Sequence, residues 1–193
     1  MTVEVVRNSL MEAQTALASL LANERTLRDI ERAAGAVSAS LRTGGKVMSC
    51  GNGGSMCDAI HFAEELSGRY RHDRRALGAI SISDPAHMTC VANDFGYEFV
   101  FSRFVEAHGK QGDCLLAIST SGTSPSILNA ASSARSQGLT VIGLTGKPES
   151  KLAELSDICI STPGGKFSDR VQELHIKVLH ILVELVELKL ELA

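Results

Sequence analysis

The chain predicts an α/β protein built on a parallel sheet, a three-layer α/β/α sandwich with five strands. Three observations carry that prediction. Short apolar, β-branched runs recur five times with helical stretches between them, and strands separated by helical crossovers pair in parallel. One run, 114–118 (CLLAI), is almost wholly apolar, as strands covered on both faces are. Two runs open into turns that precede helices, GNGGS at 51–55 and STSGTS at 119–124, which puts candidate ligand loops at the carboxyl ends of strands.

In chain order, 3–21 and 27–41 carry apolar residues at three- and four-residue spacing (Val6, Leu10, Ala13, Leu17, Leu20; Ile30, Ala34, Val37, Leu41). Each reads as an amphipathic helix. A first strand ends at Cys50 and a helix follows the glycines, with Ser55 as its expected N-cap and Asp58 three residues on as a box-like partner. The charged run 69–75 (RYRHDRR) reads as an exposed connection to a second strand at 79–83. Asp84 and Pro85 then supply a cap and a first-turn proline. Residues 87–92 look helical, Asn93-Asp94 breaks the run and 99–107 resume it. After the third strand, Pro125 starts a helix to about residue 137, closed by Gly138. Strands at 139–144 and 157–161 flank a short helix at 151–155. The last helix, 168–191, spans ~36 Å at about 1.5 Å per residue. Apolar residues surround most of its circumference, which predicts a subunit interface there. Nothing marks a linker or repeat, so 1–193 is expected to be one domain.

A net charge of −3 with scattered Lys and Arg argues against a nucleic-acid surface. Cys50, Cys57, Cys90, Cys114 and Cys159 form an odd set without CxxC spacing, expected to be buried small hydrophobes in a reducing cytoplasm. The N-terminus lacks the pattern of a signal peptide. The apolar stretch 178–192 is broken by Glu184, Glu187, Lys189 and Glu191, which excludes a membrane span. A soluble, cytoplasmic protein with no membrane partner is the expectation.

Both glycine or serine turns offer backbone N–H groups at a helix N-terminus, and the second adds the hydroxyls of Ser119, Thr120, Ser121, Thr123 and Ser124. That suits a phosphate monoester. A dinucleotide fingerprint is poorly met, because GNGGSM lacks the third glycine, and neither turn is followed by the Lys-Ser/Thr of a Walker A loop. His61, Glu65 and Arg69 lie four apart on one helix face; spacing alone allows acid/base groups or a plain surface pair. On the last helix Glu173, Lys177, His180, Glu184, Glu187 and Glu191 form a polar stripe with Gln172 at its margin, while His175 falls among Val171, Val178 and Leu182 as a core histidine. His61, Glu65, Gln172 and His180 are candidate ligands for a borderline divalent metal such as zinc. Positions 172 and 180 are about 12 Å apart along the helix, so sharing one ion requires both side chains to reach toward each other.

At these residues the chain resembles a family. CGNGGS, HFAEELSGRY, ANDFG, LLAISTSGTS, LTGK and DRVQELHIKVLHIL occur in order through nearly the whole sequence and look like the bacterial phosphoheptose isomerases, of the sugar isomerase (SIS) domain class. The resemblance implies a homotetramer that converts sedoheptulose 7-phosphate to D-glycero-D-manno-heptose 7-phosphate, the first step of ADP-heptose supply for lipopolysaccharide, with one zinc per subunit. It implies a phosphate loop at Ser119, Thr120, Ser121 and Ser124 and sugar contacts at Asn52, Gly53, Gly54, Ser55, Asn93, Asp94 and Gln172. Arg69 and Asp169 match positions near the site. It further implies Glu65 and His180 as the acid/base pair and His61, Glu65, Gln172 and His180 as metal ligands. With half of that set on the last helix, the site is expected only in the assembled protein. Met56, the SDPAHM segment and Gly164-Gly165-Lys166 depart from the family's pattern away from these positions. The rival is a non-catalytic SIS protein resembling the replication initiator-associating family, which keeps GNG, STxGNS and a QEMH-like segment but lacks the counterparts of Glu65 and His180.

Overall fold

The computed structural model describes residues 2–165 and 167–192; Lys166, and with it the end of the Gly164-Gly165-Lys166 departure, lies outside them. The chain runs α1 (Thr2–Leu21), α2 (Glu24–Arg42), β1 (Val47–Gly51), α3 (Gly54–Ser67), β2 (Ala79–Ser81), α4 (Pro85–Asp94), a 3₁₀ turn (Tyr97–Phe99), α5 (Val100–His108), β3 (Cys114–Ser119), α6 (Pro125–Ser136), β4 (Thr140–Thr145), α7 (Lys151–Leu155), β5 (Ile158–Ser161) and α8 (Ser168–Lys189). The sheet order is β2-β1-β3-β4-β5, parallel at every pair.

Alternation along the strands separates two cores. Val47, Cys114, Leu116, Ile118, Ile142 and Leu144 face α2, α3 and α8, whereas Met48, Cys50, Leu115, Ala117 and Val141 face α4, α5, α6 and α7. Because β1 and β3 are neighbours in register up to Gly51↔Ile118, and the chain leaves them in opposite directions, their carboxyl ends form the switch point of the sheet. A crevice opens there in open α/β sheets, and the turns after β1 and β3 line it.

Several expectations are corrected. The cap of α3 is Gly53, at φ 56, and no side chain caps the helix. The turn needs a positive φ, which glycine adopts without a Cβ penalty, so Ser55 sits buried inside the first turn instead. Asp58 forms no box; its Oδ2 is buried without a hydrogen-bond partner. Asn93 and Asp94 belong to α4, and the break falls at Phe95-Gly96. The Asp84 cap does form, accepting from the His87 N–H. Cys57 and Cys90 are exposed, whereas burial pushes the Cys50 thiol to about 12 and the Cys114 and Cys159 thiols to about 11.

The two long terminal helices differ in how much apolar surface they bury within the chain. α8 spends its apolar girth inside the chain, burying Leu174, Val178, Leu179, Leu182, Val183 and Val186 against α2, α3 and the sheet. In α1 only Leu20 is buried; Val3, Val5, Val6, Leu10, Met11, Leu17 and Leu21 are exposed. Arg170 of α8 ties α1 down by donating to Ser9 Oγ at 2.6 Å and Glu12 at 3.3 Å, and it also contacts Glu173. No helix among the described residues is long and apolar enough to cross a membrane.

Candidate active site

The loop after β3 is organised by its own hydroxyls. Ser119 Oγ accepts the Gly122 N–H at 3.1 Å and lies 3.4 Å from both Ser121 Oγ and Ser124 Oγ. Ser121 Oγ accepts from the Thr123 N–H and hydroxyl. Gly122 takes φ 66, and a Cβ there would fall 2.3 Å from Ser150 Oγ, so both backbone and space demand glycine. Ser124 is the N-cap of α6 but does not bond the helix, which leaves its hydroxyl and the helix N–H groups for an anion. A cavity of about 190 Å³ adjoins the loop, lined by Thr120, Ser121, Lys147, Phe167, Ser168 and Val171 among others.

The loop after β1 is linked to this one. Asn52 Nδ2 donates to Ser126 Oγ at 3.0 Å, and Asn52 Oδ1 accepts from the Tyr97 hydroxyl at 2.8 Å. Both ends of the Asn52 amide are therefore engaged, and the turn's free polar surface is main chain. Gly54 abuts α8: a Cβ there would meet the Gln172 amide at 2.7–2.9 Å.

Further along, α3 and α8 bring three predicted side chains together. His61 Nε2 lies 2.9 Å from His180 Nε2 and 3.3 Å from Glu65 Oε1; one imidazole carries the Nε2 proton and the other accepts it. One donor atom from each of the three residues lies within 4.8 Å of the others, and all three residues are partly buried. The Tyr70 ring sits 5.8 Å from that of His180. Near this cluster burial pushes the Asp58 carboxyl up to about 6, with the His61 charge opposing it.

The three side chains of the cluster converge within a single chain. Three of the four proposed ligands, His61, Glu65 and His180, meet here. Gln172 rests against Gly54, seven residues before His61, a separation of ~10 Å along the helix. Asn93 and Asp94 are exposed and bond each other at 2.7 Å, Arg69 is exposed, and exposed Asp169 accepts from the Arg170 N–H. No contact to the cluster joins these four. His175 is the core histidine expected: fully buried, both nitrogens without a hydrogen-bond partner, its pKa lowered to about 4 by burial, with the Thr145 backbone opposing the shift. Tyr97, Ser126 and Tyr70 escaped sequence reasoning; for Tyr97 and Tyr70 the available signal was an aromatic within or beside the ANDFG and HFAEELSGR runs.

The donor set of two imidazoles and a carboxylate fits a borderline divalent ion. A parallel sheet with a hydroxyl loop at its switch point and such a cluster one helix away defines a class, and the SIS domain sequence pattern matches residues 11–146. Phosphoheptose isomerases from Tolumonas auensis and Aeromonas hydrophila are 54% and 56% identical over 97% and 95% of this chain and 97% and 96% of theirs. Solved phosphoheptose isomerases from Neisseria gonorrhoeae and Francisella tularensis superpose with TM-scores of 0.89 and 0.91 at 32% identity, covering 97% of this chain and 99% of each of theirs. The chain belongs to the phosphoheptose isomerase family of SIS domain proteins.

Proposed function

We propose that the protein is a phosphoheptose isomerase, a single SIS domain spanning 1–193, that converts sedoheptulose 7-phosphate to D-glycero-D-manno-heptose 7-phosphate. The observation that carries this reading is the convergence of Glu65 and His180 beside His61 in a chain 54% identical to phosphoheptose isomerases over nearly its whole length. The same convergence disfavours the non-catalytic, initiator-binding alternative.

In this proposal Ser119, Thr120, Ser121 and Ser124 hold the phosphate, and Asn52, Gly53, Gly54 and Ser55 bound the sugar end. Arg69, Asn93, Asp94, Asp169 and Gln172 form the rim. Glu65 removes the proton from carbon 1, and its electron pair forms the carbon 1–carbon 2 double bond as His180 gives a proton to the carbon 2 oxygen. The enediol then loses the hydroxyl proton at carbon 1 to His180 and receives a proton at carbon 2 from Glu65, which completes the aldose. Positioned acid and base groups supply ~10²- to 10⁴-fold of such a rate. His61, Glu65, Gln172 and His180 would hold one zinc per subunit. When bound, zinc supplies Lewis-acid polarisation of a carbonyl oxygen, and an atom of Glu65 or His180 that holds the ion does not move a proton at the same moment.

The bare apolar face of α1, with its groove of about 310 Å³ between Val3, Val6, Arg7, Leu10, Met11 and Gln14, supports a homotetramer whose neighbours cover that face and the site rim. A cytoplasmic enzyme feeding heptose into ADP-heptose and lipopolysaccharide, free of membrane and nucleic-acid partners, follows from this reading. The test is incubation with sedoheptulose 7-phosphate with and without a chelator, on protein whose sedimentation mass is also measured. Formation of the manno-heptose phosphate, lost with chelator and restored by zinc, in a particle of four 20.5 kDa chains, is expected. No conversion in either condition overturns the isomerase, and a monomer overturns the assembly.

A further inference from the structure

The charged connection after α3 is exposed at Arg69, Arg71, His72, Asp73 and Arg75, as expected, and is nevertheless strapped along α8. Tyr70 stacks beside His180, Arg71 Nη1 donates to Glu184 at 2.9 Å while its guanidinium lies 5.0 Å over the Tyr70 ring, and Arg74 Nε donates to Glu187 at 2.8 Å. These contacts descend α8 from position 180 to 184 to 187, about one turn at a time.

Arg74 differs from its neighbours in burial. Its side chain is 2% exposed and that of Glu187 4%, so a full charge and its counter-charge lie inside the protein. All three guanidinium nitrogens are engaged. Besides Glu187, Nη1 donates to the carbonyls of Leu66, Gly68 and Arg75 at 2.8, 3.0 and 3.1 Å, and Nη2 to the carbonyl of Glu65 at 2.7 Å. The carbonyls of residues 65, 66 and 68 belong to the end of α3, where the last C=O groups have no helical partner and a cation is favoured. Arg74 thus grips the main chain of Glu65 itself and fastens it to α8 two turns beyond His180.

A buried ion pair is a weak source of net stability, because desolvation consumes most of its Coulomb gain. What the planar five-donor fork supplies is geometry. We propose that Arg74, anchored by Glu187, is a positioning residue for the cluster: it fixes α3 and α8 in the register that sets Glu65 against His61 and His180, and it plays no part in holding the phosphate. This rests on the isomerase reading above only for its kinetic arm.

The test uses full-length Arg74→Lys, Arg74→Gln and Glu187→Gln. Zinc affinity of the metal-free protein is measured by competition with a chromophoric chelator, and kcat and KM with sedoheptulose 7-phosphate. Outer groups that orient metal ligands change affinity or activity by roughly 10- to 100-fold when lost, and losses of that order are expected in zinc affinity and kcat, with KM nearly unchanged. Lysine, a point charge that cannot span the carbonyls, falls between wild type and glutamine. Glu187→Gln, which keeps an acceptor but leaves the cation unneutralised, moves the same quantities in the same direction. If Arg74→Gln does not fold, the other two variants decide. Folded Arg74→Lys and Glu187→Gln with wild-type zinc affinity and kcat overturn the proposal, even if their melting temperatures fall. Wild-type protein that binds zinc without turning over the sugar defeats the isomerase reading but leaves the zinc arm decisive; protein that does neither overturns both.

Discussion

The hydroxyl loop after β3 and the histidine–carboxylate cluster between α3 and α8 are built by opposite means. The loop is six consecutive residues whose hydrogen bonds close on one another, Ser119 to Gly122, Ser121 and Ser124, with one glycine making the turn. The cluster joins residues 119 positions apart and exists only while two helices keep their register. A local device is sensitive to its own residues and tolerant of distant change. A device assembled by packing depends on groups far from the chemistry, such as Arg74.

The sharpest way to break the comparison is to remove the reacting groups. Glu65→Gln and His180→Gln each keep size and hydrogen-bonding capacity while losing the proton acceptor or donor. A fall in kcat of about 10²- to 10⁴-fold is expected, with inorganic phosphate still binding as tightly as to wild type. Near-wild-type turnover by either variant would remove the cluster from the chemistry.

Ser121→Ala probes the other side. Ser121 is exposed in the loop, where its hydroxyl accepts from Thr123 and lies 3.4 Å from Ser119 Oγ, while Ser119 takes the Gly122 N–H independently, so its loss leaves the Ser119–Gly122 closure intact. A hydrogen bond to a charged group contributes about 1.5 to 3 kcal/mol, so KM rises roughly 10- to 100-fold while kcat and zinc affinity stay close to wild type. A variant that lost kcat with KM unchanged would show that loop and cluster are not separable.

The same contrast explains what was legible in the sequence. The alternation of strands and helical crossovers, the STSGTS loop and the Asp84-Pro85 helix start are local signals, and each appears where the pattern put it. His61 and Glu65 were visible as a pair because one helix face joins them. That His180 meets them was not visible, since it depends on how α3 and α8 lie together. Burial of Arg74 and Glu187 contradicts the charge run and polar stripe they were assigned to, because two charges that satisfy each other can enter a core that neither can enter alone. The burial of the terminal helices depends on packing in a related way. An all-round apolar pattern says that α8 needs several neighbours, and here α2, α3 and the sheet supply them. The milder pattern of α1 conceals that it has almost none.

His175 tests the boundary between the two regions. It lies on α8 between Gln172 and His180, and the Thr145 beside it also stands under the loop, where a Cβ on Gly122 would meet Thr145 Oγ1 at 3.0 Å. Its ring is fully buried and its pKa is lowered from 6.5 to about 4. Between those values the unfolded chain binds a proton that the folded chain does not, so stability rises with pH there. The contribution is therefore complete above about pH 6.5 and is lost as pH falls toward 4. With each unit worth about 1.4 kcal/mol, the loss amounts to roughly 3 kcal/mol. His175→Leu, close in volume and unable to titrate, should match or exceed wild-type stability at pH 7, since it removes two unpaired buried nitrogens. In urea melts at successive pH values its midpoint should fall less than that of wild type between pH 6.5 and 4. Because neither loop hydroxyls nor cluster ligands are touched, kcat and KM at pH 7 should move least of all the substitutions considered. An undiminished acid slope in His175→Leu would place the proton uptake elsewhere, and a large loss of kcat would make His175 a working part of the site that links the two regions.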